Sequence, residues 1–361
     1  MTSMLRTIAA LVSPITSDTY MNQIDALFVI TVSILALIGL FFNLLLLYLI
    51  IFKSPESLTP YRIFLANTTI TQLVFAIFTL ISQPRVMSVK EYTIVIYMGP
   101  VQFTGPWLSA MSYMGMIHLA LNSFISIMLS MVYRYFSIND RRFTARSSIL
   151  ICLIGYMIPL GSYLSCFTIK TSRDPILNNE LIGNLVDNLT QYNMVVASDI
   201  HSQPALLVFI SLVSIGFIPI YAVMYWCRHK IYKQLKETSS IQSNTTKDNV
   251  KRLVQALTIQ SLLPFFSIFP ASIFYCLAQT GLVQASIYSY FIVPCILISC
   301  IFDPIITLRC VLPYRRYIRR ICRLHSGEIN TSNDRTRSDQ YSRVANNVFI
   351  ISYATHRISL S

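Results

Sequence analysis

Few side chains in this sequence could carry acid–base or metal chemistry, and they do not lie together. His118 lies inside a long uncharged stretch, Asp303 directly follows another, and His201 lies near the start of a third. A zinc hydrolase needs several His or Asp side chains around one ion. These three residues fall at different depths of their stretches. The sequence therefore predicts no enzyme, no metal site and no cofactor.

The eight cysteines show no spacing typical of a metal or redox site. None of them forms a CxxC pair, and most lie within uncharged stretches. We interpret them as small apolar residues of buried helices. Cys310 and Cys322, which flank a basic segment near the C-terminus, are candidates for palmitoylation.

Composition and charge spacing predict an all-α membrane protein. The chain is 54% hydrophobic and only 12% charged, whereas soluble domains carry about 25% charged residues. About 20 residues cross the bilayer core as a helix, and continuous apolar runs exclude the alternating strands of a barrel. The uncharged run 253–302 holds two helices, divided by a turn at Gln279-Thr280-Gly281. The seven predicted helices are about 27–52, 62–82, 105–133, 149–169, 203–227, 253–278 and 283–308.

The distribution of Lys and Arg predicts the orientation of this seven-transmembrane helix bundle. With the N-terminus outside, 5 of the 28 Lys and Arg residues fall on outer segments and 23 on inner ones, as the positive-inside rule requires. The net charge of +13 is then explained by the inner membrane surface, and no nucleic acid partner is predicted.

Four regions follow from this topology. We expect an extracellular N-terminus over 1–26, the membrane domain over 27–308, an amphipathic basic segment over 309–325 and a disordered cytoplasmic tail over 326–361. The arginines of the basic segment alternate with apolar residues, which indicates a helix lying on anionic membrane lipids. The Asn188-Leu189-Thr190 sequon falls outside, where Asn188 is an acceptor for glycosylation.

Three motifs resemble those of rhodopsin-like G-protein-coupled receptors. Phe42-Asn43-Leu44-Leu45 resembles the asparagine motif of helix one, and Val132-Tyr133-Arg134-Tyr135 resembles the arginine motif that closes helix three. Asp303-Pro304-Ile305-Ile306-Thr307 resembles Asn-Pro-x-x-Tyr of helix seven, with both ends changed.

A finer resemblance is to the nematode serpentine chemoreceptors of the delta class (Srd). It is carried by TPYRIFLANTT at 59–69, by Tyr133-Arg134-Tyr135-Phe136, by Phe302-Asp303-Pro304 and by Pro313-Tyr314-Arg315-Arg316, and it covers about 27–324. The resemblance implies a multi-pass receptor of the plasma membrane, in a sensory cilium. It also implies an external small-molecule ligand and a heterotrimeric G protein as partners.

The resemblance makes Arg134 the main candidate for coupling, because the corresponding arginine helps to hold the inactive state and then faces the G protein. A basic inner surface around it could complement an acidic partner, or its charges could only fix the topology. The candidates for G-protein coupling are Tyr133, Arg134, Tyr135, Arg141, Arg142, Lys230, Lys233, Lys251 and Arg252.

A polar cluster between helices one, two and seven is predicted from Asn43, Asn67 and Asp303. Asp303 lies about six residues, roughly 9 Å, above Arg309, where an unpaired carboxylate costs about 2.5 kcal/mol or more. Pro304 lets helix seven bend beside it. The cluster is interpreted either as a two-state switch or as a packing cluster without a switching role.

Aromatic residues in the outer halves of the helices predict a site for a small, neutral, apolar ligand. The outer halves of the predicted helices carry no ionisable side chain except histidine. Any one of these residues could instead face lipid, and His118 could bond another helix. The predicted ligand-binding residues are Trp107, Tyr113, His118, Asn122, Phe269, Tyr275, Tyr288 and Tyr290.

Two questions stay open from the sequence. A ligand-gated channel or a small-molecule transporter is the alternative function, although no internal repeat typical of transporters is present. Rhodopsin-like receptors also join helix three to the second outer loop by a disulfide. Here 91–151 and 170–200 contain no cysteine, so this disulfide cannot form and the packing of the second outer loop stays open.

Overall fold

The structure is a computed structural model that describes most of the predicted membrane domain. The described residues are 23–54, 59–89, 92–138, 143–168, 192–199, 204–239 and 288–325, with 259, 262–263, 265–267, 269–275 and 277. The tail, most of the N-terminal segment and the side chain of Cys322 lie outside this description. So do the predicted positions Arg141, Arg142, Asn188, Lys251 and Arg252.

Long apolar helices make up nearly all of the described chain. Six of them, α1–α5 and α7, are long and apolar enough to cross a bilayer, and α6 is described in part. They are α1 Gln23–Phe52, α2 Thr59–Ser82, α3 Pro106–Ile138, α4 Ala145–Ser165, α5 in two segments (Pro204–Ile215 and Phe217–Ser239), α6 Phe265–Tyr275, α7 Ile292–Cys310 and the amphipathic α8 Leu312–His325.

Some helices begin at residues other than the predicted ones. α4 begins at Ala145, before the predicted 149, because the Thr144 hydroxyl caps it by accepting from the Ser147 N–H at 3.2 Å. α1 begins at Gln23, before the predicted 27, which brings Asp25 into its first turn. α7 is continuous over Ile292–Cys310 after a turn at 289–291, and its predicted start at 283 lies outside the described residues.

The packing places α3 at the centre of the bundle. α3 contacts α2, α4 and the inner segment of α5, while α1 packs between α2 and α7. α1 and α4 keep wide apolar faces exposed, including Leu27 and Met157. Apolar faces of this extent are stable against lipid and unfavourable in water.

A three-stranded antiparallel sheet covers the outer end of the bundle, where the sequence analysis expected only loops. Its order is β1 Pro84–Val89, β2 Tyr92–Tyr97 and β3 Val195–Asp199. The run of β-branched and aromatic residues in β2, YTIVIY, is a strand signal. Consecutive residues of β2 are buried, so both faces of the sheet are covered.

This sheet joins the first and second outer loops through the backbone. β2 pairs with β3, and the Tyr97 N–H extends the pairing by donating to the Met194 carbonyl at 3.1 Å. The cysteines with described side chains are free thiols. Among the described residues, the two outer loops are thus joined by backbone hydrogen bonds and not by a disulfide.

Gly99, at the turn after β2, is expected to tolerate no side chain. A Cβ there would lie 2.3 Å from the Ile81 carbonyl oxygen at the end of α2. We expect Gly99→Ala to lower stability by about 1–3 kcal/mol, measured as the thermal unfolding midpoint in detergent. The matched control is Gly161→Ala, because a Cβ at Gly161 has no neighbour within 4 Å. Equal midpoints for the two variants would contradict this assignment.

Candidate functional site

Four of the predicted ligand-binding residues lie together beneath the sheet. Tyr113 of α3 and Tyr288 are buried in one apolar core with the strands, and Tyr275 and Tyr290 pack against it. The Tyr275 hydroxyl is 2.9 Å from the Thr93 hydroxyl of β2. The sheet therefore forms the roof of an aromatic region between α3, α6 and α7, which we call the outer aromatic core.

Two of the predicted residues lie away from that core. Trp107 is 49% exposed and contacts Phe167 on the outer surface of the bundle, so it does not line the interior as predicted. Phe269 packs against Phe217 of α5 and Phe265, with ring centroids 5.3 Å and 5.2 Å apart. It belongs to an apolar crevice between α3, α5 and α6.

His118 and Asn122 face neighbouring helices. The buried imidazole of His118 lies between the rings of Tyr156 and Tyr163 on α4, at 5.3 Å and 5.2 Å. Asn122 donates from Nδ2 to the Thr71 hydroxyl of α2 at 2.9 Å. Both side chains therefore contribute to packing around α3, outside the outer aromatic core.

A buried ion pair that the sequence analysis did not foresee fastens the sheet to the helices. Arg85 Nη1 of β1 lies 3.1 Å from Asp25 Oδ1 of α1, and their side chains are 7% and 0% exposed. Tyr290 donates to Asp25 Oδ1 at 2.6 Å, and Tyr192 donates to Asp25 Oδ2 at 2.7 Å. Arg85 also donates from Nε to the Ser289 hydroxyl at 3.0 Å. We call these five residues the outer clasp.

The outer clasp corrects the expectation that the outer half of the bundle carries no ionisable group except histidine. From the sequence alone, Asp25 falls in the predicted extracellular N-terminus and Arg85 among the charges of the outer segments. The available signal was an acidic residue at the start of one apolar run and a basic residue just after the next. In a bundle of antiparallel helices, Asp25 and Arg85 therefore lie at the same depth, near the outer membrane surface.

The electrostatics of the clasp leave its phenols as donors. Burial and the hydrogen bond to Asp25 raise the pKa of Tyr192, although Arg85 opposes this. The Arg85 guanidinium also lies 4.0 Å from the centre of the Tyr290 ring, a cation–π contact. The carboxylate therefore receives three charge-assisted bonds from three separate segments.

In the inner half of the bundle, Asp303 of the predicted polar cluster is bonded to other helices through Gln72, which the sequence analysis does not name. Asp303 Oδ2 accepts from Gln72 Nε2 at 3.2 Å, and the same nitrogen donates to the Ser123 hydroxyl of α3 at 3.2 Å. Gln72 therefore links α2, α3 and α7. A glutamine amid apolar residues of a membrane helix was the sequence signal for this role.

The two asparagines of the predicted cluster have separate partners. Asn43 of α1 donates to the Cys300 carbonyl of α7 at 2.9 Å, and Asn67 of α2 donates to the Ser126 hydroxyl of α3 at 2.7 Å. Pro304 lies inside α7 beside Asp303. Asn43 thus joins α1 to α7, and Asn67 joins α2 to α3. The predicted cluster comprised only helices one, two and seven, so the contact with α3 is an addition to it.

At the inner end of α3, Arg134 contacts α2. Its guanidinium donates to the Tyr61 hydroxyl and lies 4.8 Å from the centre of that ring. Tyr133 packs against Tyr61 and Phe64, whereas Tyr135 packs against Trp226 of α5. Lys230 and Lys233 are exposed on α5.

α8 is attached to the first inner loop. The buried Tyr314 side chain donates to the Ser54 hydroxyl at 3.2 Å, and the Lys53 ammonium lies 5.2 Å from the Tyr317 ring. Burial raises the pKa of Tyr314. Cys310, at the end of α7, is half-buried with Arg134 among its charged neighbours.

The bundle has the architecture of a G-protein-coupled receptor. It superimposes on squid rhodopsin with a TM-score of 0.60 and 15% identity, covering 90% of this chain and 92% of that one. The fold class predicted from the sequence is thereby confirmed.

The chain belongs to the Srd family of serpentine chemoreceptors. The family described as "Serpentine type 7TM GPCR chemoreceptor Srd" matches residues 28–320. The chain is 57% identical to Serpentine receptor class delta-33 of Caenorhabditis elegans, over 91% of this chain and 96% of that protein. It is 40% identical to class delta-32 of the same organism, over 83% and 88%. The resemblance to the delta class is confirmed, and the protein is a multi-pass membrane receptor of this family.

The link between α2, α3 and α7 is tested by Gln72→Leu. This change removes a donor from Asp303 and Ser123 while keeping most of the side-chain volume. We expect a stability loss of about 1–3 kcal/mol, as for a buried polar group that loses its partner, seen as a lower unfolding midpoint. Thr69→Val is the control, because the Thr69 hydroxyl bonds the Leu65 carbonyl of its own helix. An unfolding midpoint for Gln72→Leu as high as that of Thr69→Val would exclude a linking role.

Proposed function

We propose that this receptor binds a small, neutral external ligand in the outer aromatic core and activates a heterotrimeric G protein at its inner end. The observation that carries the proposal is the position of α3. One helix contacts the outer aromatic core through Tyr113, the polar cluster through Ser123 and the inner surface through Arg134. By family membership, we further propose a sensory cilium as its location.

The ligand chemistry follows from the charges of the outer half. Asp25 and Arg85 neutralise each other within the clasp, so neither offers a free charge to a ligand. The remaining outer aromatic core consists of phenol rings, apolar side chains and hydroxyls such as Thr93. Such walls favour a small uncharged molecule with a large apolar part.

The inner end supplies a contact that could change between two states. Arg134 is held by Tyr61 of α2. Exchange of this contact for one with a G protein would expose the guanidinium to an acidic partner. For a ligand to drive the exchange, it must bind the active arrangement more tightly than the resting one.

Arg134→Ala tests the coupling role in membranes bearing the full chain. Nucleotide exchange on heterotrimeric G proteins is measured with a panel of small volatile and soluble organic compounds. We expect ligand-dependent exchange to fall at least about tenfold, because about 1.4 kcal/mol of lost interface energy suffices for that change. The control is Arg146→Ala, an exposed arginine at the same side of the membrane. Retained exchange in Arg134→Ala would remove this residue from coupling, and a ligand-dependent current instead of exchange would favour a channel.

Tyr113→Leu tests the ligand site. It replaces the phenol of a buried α3 residue in the outer aromatic core by a smaller aliphatic side chain that cannot form a hydrogen bond. For any panel compound that triggers exchange, we expect the half-maximal concentration to rise about tenfold. Trp107→Leu is matched to it, because Trp107 lies on the outer surface of the same helix. A larger shift for Trp107→Leu than for Tyr113→Leu would place the site elsewhere.

A further inference from the structure

The outer clasp unites four segments that are distant in sequence. Asp25 belongs to α1 and Arg85 to β1, Tyr192 precedes β3, and Ser289 and Tyr290 precede α7. The sheet is therefore held at one point to the first and the last transmembrane helices. Both partners of the ion pair are almost fully buried, so the closed clasp keeps both charges away from water.

The sheet that the clasp holds also covers the outer aromatic core. Ile94 and Val95 of β2 are consecutive, buried residues, so the sheet is packed on both faces and is not a loose surface flap. Thr93 of β2 contacts Tyr275 directly beneath it. Among the described residues, this roof lies between the outer aqueous side and the outer aromatic core, so a molecule that crosses there must displace it.

We propose that the outer clasp is a gate: it must open for a molecule to pass between the outer solution and the outer aromatic core. Closing it secures β1, the approach to β3 and the start of α7 at the same time. Because Asp25 accepts bonds from each of these segments, loss of its charge weakens all three attachments. Loss of the Arg85 charge removes the bond to β1 and leaves the buried carboxylate without its counter-ion. Opening of the clasp towards the outer solution can be measured without a ligand or a G protein.

Access is measured at one thiol placed under the roof. Thr93→Cys replaces a buried hydroxyl by a group of similar size, and the full chain is expressed in membranes. A cationic, membrane-impermeant methanethiosulfonate is added outside, and the rate of modification is followed. The chain without Thr93→Cys gives the background from the native thiols.

Asp25→Asn and Arg85→Met are each combined with Thr93→Cys. We expect both to raise the modification rate at least about tenfold, the change produced by about 1.4 kcal/mol of lost closing free energy. A purely electrostatic effect on a cationic reagent would move the two rates in opposite directions, because one variant removes a negative charge and the other a positive one. A joint increase therefore identifies opening.

Two further double variants and one control keep the test decisive if a single charge variant fails to reach the surface. Tyr192→Phe with Tyr290→Phe removes two of the bonds to Asp25 without changing a charge, and should also raise the rate. The charge exchange Asp25→Arg with Arg85→Asp should recover part of the protection. Gln102→Ala, which removes an exposed amide contact to Asn193 outside the clasp, should leave the rate unchanged. Unaltered protection in the clasp variants at the surface would overturn the gate.

Discussion

The buried attraction between Asp25 and Arg85 is the interaction on which the outer half of this receptor depends. Removing two charges from water is costly, and such a pair persists only when further hydrogen bonds satisfy its remaining groups. Tyr192, Ser289 and Tyr290 supply those bonds. Breaking the pair would therefore also disturb the hydrogen bonds from these other segments, so the positions of the segments depend on one another.

The pair also determines what kind of ligand chemistry remains available below it. A lone arginine or aspartate in the outer half would attract a charged ligand. Once the two charges are joined, the region beneath the sheet offers aromatic surface and hydroxyl groups. The proposed preference for a neutral molecule therefore depends on the clasp as much as on the aromatic residues.

The sequence was sufficient for the membrane architecture, because uncharged runs and the placement of Lys and Arg report directly on burial in lipid. It also located Asp303 as a buried carboxyl that requires a partner. It could not identify Gln72 as that partner, because the pairing depends on how α2 and α7 are rotated against each other. The rotation of α3 also decides which of its aromatic residues points into the bundle. Tyr113 does so, whereas Trp107 of the same helix lies on the outer surface.

The outer sheet was missed for a different reason. Its strands occur in segments between membrane helices, and the length of charge-free runs, which locates those helices, does not report local strand propensity. Asp25 was missed because the predicted helices are defined as runs without charged residues. The charged residue at the end of such a run is then placed outside the helix, whereas Asp25 lies in the first turn of α1. Both misses fall at the outer end, where the long-range contacts of loops decide the structure.

The backbone pairing of β2 with β3 has a consequence for how the protein matures. The three strands contain no cysteine, so their pairing requires neither an oxidant nor a disulfide isomerase. Hydrogen bonds between strands form and break reversibly, without covalent intermediates that can be trapped in a wrong pairing. The pairing of these strands should therefore be recoverable after unfolding in a reducing solution, a condition that breaks a disulfide.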